Sequence, residues 1–95
     1  MFVVFLKFAA NKAKAPHFME GHNAWLKRGF DSGVFLLAGS LPPGLGGGIL
    51  AYNIERSALE ALLADDPFVA EQIVAPEIIE IAPGRLDERL AFLRS

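Results

Sequence analysis

The chain contains no cysteine, which rules out disulfides, thiolate nucleophiles and cysteine-ligated zinc or iron–sulfur centres. Histidine is scarce too, with only His17 and His22. Five residues apart, the two point about 140° apart around a helix and do not converge as ligands. HExxH, a P-loop and GxGxxG before a helix are all missing. Neither a metal nor a cofactor is therefore expected. No segment approaches the ~20 apolar residues that a helix needs to cross a bilayer. The apolar N-terminus MFVVFLKFAA has no basic n-region, and Lys7 interrupts it too early for a signal peptide. A surplus of one charge is absent as well. The net charge is −2 with both signs scattered, so no basic stripe follows a phosphate backbone. These absences predict a soluble, cytoplasmic protein with no nucleic-acid or membrane partner.

What is abundant is apolar side chain. Of 95 residues, 53% are hydrophobic and eight are Phe. The length sets a single domain, residues 1–95. A domain this small hides only ~60–65% of its unfolded surface by itself. The excess predicts a second buried surface, most simply a subunit interface.

Phe2 to Phe8 is almost continuously apolar, as in a strand buried on both faces. After a polar loop, Asn11–Ala15, Pro16 suits the first turn of a helix. Phe18, Trp25 and Leu26 then fall on one helical face through about Asp31, with Gly33 as the stop. Val34–Leu41 reads as a second strand, Pro42–Gly48 as a flexible connection and Ile49–Ile54 as a third strand. Ser57 and Glu60 match a capping box, and Leu59, Leu62 and Leu63 stripe the second helix. Its start could equally lie one turn earlier. Asp66-Pro67 breaks that helix and opens a turn through Gln72. Ile73–Ala82 is the fourth strand, with Pro76 marking an edge or bulge. Leu86, Leu90 and Leu93 predict a short amphipathic C-terminal helix. The order is βαββαβ plus a helix, a ferredoxin-like α+β domain with both main helices on one sheet face. The other face is expected to pair with a second copy's sheet.

Four residues are candidates for chemistry. His22 lies on the apolar stripe; it is either a packed histidine bonded to strand backbone or a general acid/base, since its ordinary pKa of ~6.5 permits proton exchange near neutrality. His17, in the first helical turn, is expected to be exposed. Asp66, before Pro67, is either a helix cap or a carboxylate that orients an imidazole. Ser40, near the end of strand two, either holds a polar group of a ligand or is simply solvated. Trp25 either lines a pocket or packs. Gly46-Gly47-Gly48 precedes a strand rather than a helix, and so reads as a loop and not a phosphate cradle.

The runs His22-Asn23-Ala24-Trp25-Leu26, Phe35–Pro42 (FLLAGSLP) and Asp65-Asp66-Pro67-Phe68-Val69, in that order and spacing, resemble the YCII-related (YciI-like) family from Phe2 to about Ala82. The resemblance implies a dimeric α+β barrel, two ferredoxin-like units paired sheet to sheet, with higher assemblies of such dimers left open. It also implies that His22 and Asp66 face a common pocket. One branch of the family is similar to a dehydrochlorinase of chlorinated hydroxyquinols, which implies cofactor-independent acid/base chemistry on a small cyclic or hydroxylated molecule. His22 would then move the proton, Asp66 would orient it, and Ser40 and Trp25 would bind substrate. The alternatives are a non-catalytic dimer that binds a small ligand and a purely structural module. Two departures stand out. Phe18 and Met19 occupy the region where many relatives carry an arginine, which speaks against an anionic substrate. A glycine common after the Asp-Pro-Phe motif is replaced at Glu71-Gln72.

Overall fold

Phe2, Val4 and Leu6 are buried while Val3 and Phe5 are half-buried, and this period of two lays residues Phe2–Phe8 down as strand β1. A computed structural model describes residues 1–94 of the chain. After a single 3-10 turn at Lys12–Lys14, helix α1 runs from Ala15 to Asp31, with proline in its first turn. Gly33, at φ 78°, takes the left-handed conformation just beyond the end of α1. Strand β2 covers Phe35–Leu41 and strand β3 Gly46–Ala51. Helix α2 (Arg56–Ala64) and a single helical turn, α3 (Pro67–Ala70), lead into strand β4 (Val74–Glu80).

The four strands form one antiparallel sheet in the order β2-β3-β1-β4. That order and connectivity make a small α+β domain compatible with the ferredoxin-like arrangement. Pro76 sits on β4, an edge strand, where a missing N–H costs no ladder bond on the outer side. No helix among the described residues is long and apolar enough to cross a membrane.

The register sorts the side chains into two faces. Toward the helices lie the row Phe35, Ala51, Phe2, Glu80 and the row Ala38, Ile49, Val4, Ile78. Trp25, Leu59, Leu63 and Ile73 are fully or almost fully buried in the same core as these rows. The next row inward-facing, Ser40, Gly47, Leu6 and Pro76, has almost no bulk on its β2–β3 half. The Phe35 ring packs directly on buried Gly29 of α1, where any Cβ would collide with it.

Several elements differ from those expected: besides the shorter ends of β3 at Ala51 and of β4 at Val74 and Glu80, three differences bear on the fold. The glycine run is part of β3 and not a loop; only Pro42–Leu45 turns, and Gly46–Gly48 pair with both β1 and β2. The backbone supplies these bonds, so the missing side chains do not prevent a strand flanked on both sides. Helix α2 begins at Arg56 after Glu55, within the turn before Ser57 that is the alternative start; Glu55 makes no side-chain cap and Ser57 lies inside the helix, so the capping box does not form. The C-terminal segment is a 3-10 stretch, Glu88–Leu93, interrupted by non-helical Leu90 (φ −108°, ψ 15°), and not an amphipathic α-helix. Six residues are too few to nucleate a stable α-helix without packing, and Leu93 is the one buried side chain in the stretch. Asp87 caps it through the Arg89 N–H, and the Arg89 side chain beside Asp87 holds that carboxyl below its ordinary range. Phe92 sets its ring edge-on to Tyr52 at 5.3 Å.

Candidate functional site: a histidine–aspartate pair beside a cavity

The break between α2 and α3 positions a carboxylate. Asp66 is extended (φ −68°, ψ 121°), and its Oδ1 accepts the Phe68 N–H at 3.0 Å as the cap of α3. The same oxygen lies 2.8 Å from His22 Nδ1. Asp66 has no solvent exposure, and its Oδ2 has no hydrogen-bond partner among the described residues. The two readings of Asp66 are therefore not exclusive in geometry. One oxygen is both a helix cap and the partner of an imidazole.

An ionised carboxylate can only accept, so the short contact assigns a proton to His22 Nδ1. In the neutral ring, Nε2 is then the basic atom. The ring is also clamped by stacking. Phe68 lies parallel to it, with centroids 4.0 Å apart and planes 4° apart, and Trp25 approaches at 5.9 Å and 25°. A hydrogen bond at one edge and an aromatic face against the ring leave the imidazole little freedom to rotate. This is the pre-orientation that proton transfer needs.

His22 lines a cavity of about 300 Å³, at the small end of the range for small-molecule sites. Its roof is α1, through Met19, His22, Asn23 and Leu26, with Phe68 from α3 beside them. Its floor is the sheet, through Leu6 of β1, Ala38–Ser40 of β2, Gly46–Ile49 of β3 and Val74 of β4. The cavity exists because the third inward row ends in Ser40 and Gly47, where the rows beside Trp25 end in Phe35 and Ala38. A bulge makes this possible. Between Phe35 and Leu37 the β2–β3 register shifts, so Phe35 and Ser40, an odd number apart, face the same side.

Ser40 thus lines the cavity with His22. Trp25 does not: it is fully buried, and its indole N–H donates to the Leu62 carbonyl at 2.9 Å. The expectation that it binds substrate is corrected accordingly, because its polar edge is spent on tying α1 to α2 and its face backs His22 from inside the core. Asp66 is also off the cavity surface, one residue behind it. His17 is exposed. Among the described residues no group of three or more His, Cys, Asp or Glu side chains could hold a metal ion. Phe68 and the glycine floor were not among the expected site residues. Phe68 was within reach, since the second residue after an Asp cap must approach the carboxylate through its own N–H. The glycines were not, because their contribution is the absence of side chains.

A second, wider depression of about 640 Å³ lies between Tyr52–Arg56 and Phe92–Leu93. Its charged groups, Glu55, Arg56 and Glu80, are exposed and no histidine lines it. The sequence matches no family model and no curated protein.

Proposed function

We propose that the protein is a YciI-like, cofactor-independent acid/base enzyme acting on a small cyclic or hydroxylated molecule held in the His22 cavity. The observation that carries this reading is the 2.8 Å bond from fully buried Asp66 to a histidine that lines a cavity. In this mechanism Nε2 of His22 removes a proton from the substrate. The Asp66 carboxylate stabilises the imidazolium that forms, and Nε2 returns the proton to product or solvent. Ser40 anchors a polar group of the substrate from the floor, and Phe68 keeps the imidazole in plane. Asp66 acts through His22 and does not touch substrate.

The reading includes a dimer paired through the open sheet faces, in the manner of a dimeric α+β barrel. It is supported by the apolar residues on the face away from the helices, and it leaves the cavity on the helix-covered side of each subunit.

The test is a panel of hydroxylated and halogenated small rings, assayed by absorbance and by proton release, with wild type compared with His22→Gln. Turnover of one class, reduced about 10²–10⁴-fold in His22→Gln, is the expected result. A ligand that binds with micromolar affinity at His22 and is never converted would instead make the protein a binding module. Turnover unaffected by His22→Gln would end the acid/base assignment.

A further inference from the structure

Gly21 stands in the middle of α1, is exposed, and immediately precedes His22. A glycine there weakens the helix relative to alanine, so helix formation gives no reason for it. The reason lies across the interface with α3. A Cβ built on Gly21 would stand 3.3 Å from Cγ and 4.0 Å from Cβ of Pro67. Pro67 immediately follows Asp66, and α3 is a single turn capped by Asp66 itself. Residues 21–22 of one helix therefore meet residues 66–67 of the other at one point, backbone against proline ring beside imidazole against carboxylate.

We propose that Gly21 is a positioning residue for the His22–Asp66 pair: the missing side chain lets Pro67 seat against α1 and brings the carboxylate within 2.8 Å of Nδ1. The inference rests on the acid/base reading of that pair and adds to it the element that sets its distance. A methyl group at position 21 makes the contact tighter than side chains ordinarily tolerate, and the neighbour has to give by a few tenths of an ångström. The Pro67 ring is closed onto its own backbone, so beyond a change of pucker at Cγ it cannot rotate away. What the pucker does not absorb is taken by α3 as a unit, moving Asp66 and the stacked Phe68 together. A bond of 2.8 Å stretched by that amount passes to the long end of the hydrogen-bond range. Alanine at position 21 should thus favour the helix and weaken the site at once.

The experiment uses the full-length, ¹⁵N-labelled protein and needs no substrate. Nitrogen and proton shifts of the His22 ring are compared in wild type, Gly21→Ala, Pro67→Ala and Gly21→Ala/Pro67→Ala, alongside thermal midpoints. Wild type is expected to show the Nδ1–H tautomer with a deshielded ring proton. Gly21→Ala should shift the deshielded proton upfield without a lower midpoint. Pro67→Ala, which removes Cγ, should restore the wild-type shift in the double variant. Retention of the wild-type signature in Gly21→Ala overturns the inference while leaving the His22–Asp66 pair intact. Absence of the signature in wild type instead removes the pair, and the positioning role with it. Should Gly21→Ala fail to fold, the double variant decides: regained folding with the signature supports the role, and continued failure refutes it.

Discussion

Asp66 carries more than its size implies, because one of its oxygens serves two donors while the other serves none. A buried carboxylate without its partners is costly, so the pair constrains the site as well as α3. Serine separates the two roles, as it is a good cap with no charge. Asp66→Ser should keep the Phe68 N–H satisfied and hold stability to within about 1 kcal/mol by thermal melting, whereas Asp66→Ala should cost the ~0.5–2 kcal/mol of a lost cap. Both should lose the deshielded His22 ring proton, and both should lose turnover. A melting difference with no change at His22 would mean that the carboxylate only caps. The legibility of this site in the sequence was uneven. That His22 lies on the inner stripe of α1 follows from its spacing to Phe18 and Trp25. That Asp66 meets it across 44 positions came only through the family resemblance, because no local pattern couples a helix face to a distant cap. Trp25 illustrates the converse: the same stripe that places it inward does not say whether its N–H meets a cavity or, as here, the carbonyl of Leu62.

At the scale of elements, β1 and α1 follow directly from their apolar periods, and their observed bounds differ little from the expected ones. The β2–β3 hairpin does not, for two physical reasons. Glycine has no side chain to alternate, so a strand of Gly-Gly-Gly looks like a linker until both its neighbours are known. A bulge, in turn, reverses the facing of every residue beyond it without any mark in composition. The bulge turns Ser40 inward on β2, while Gly47 faces inward by alternation with Ile49 and Ala51 on β3; an added Cβ at Gly47 would meet only the Gly39 carbonyl, at 3.3 Å, within 4 Å. A side chain there would otherwise project into the cavity. Gly47→Val should therefore fill much of the cavity and abolish ligand binding, followed by ring-current shifts of the His22 and Phe68 resonances on titration with a wild-type ligand. Valine favours strands and glycine does not, but its Cβ at 3.3 Å from the Gly39 carbonyl needs that backbone to give by a few tenths of an ångström, so the thermal midpoint should fall only modestly. Undiminished binding in Gly47→Val would place the ligand elsewhere. Gly46 differs in kind: at φ 130°, with the Leu6 carbonyl against the place of its Cβ, it admits no other residue without strain.

For the whole molecule, the decisive feature is the sheet face that the helices leave uncovered. Leu37, Leu50, Val3 and Ile79 form one row across all four strands on that face. Leu37 is 53% and Ile79 45% exposed, so the row is a continuous apolar band from edge to edge. The next row is Gly39, Gly48, Phe5 and Glu77, and Glu77, on the edge strand, pairs with Lys7 at 3.5 Å. A two-fold axis through such a band buries like against like, and an apolar centre with charges toward the β4 edge suits the packing of two sheets. This band is where the second buried surface that so small and hydrophobic a chain calls for would form. The dimer proposed above should give a two-chain mass by sedimentation at micromolar concentration. Leu37→Glu places a charge within the band but outside the core and the cavity. It should convert the protein to a monomer whose far-ultraviolet dichroism is preserved, because Leu37 makes no contribution to the buried cluster beneath the helices. A wild-type chain that sediments as a folded monomer throughout that range, or a Leu37→Glu variant that remains dimeric, would show that the apolar band is not the surface through which two copies meet.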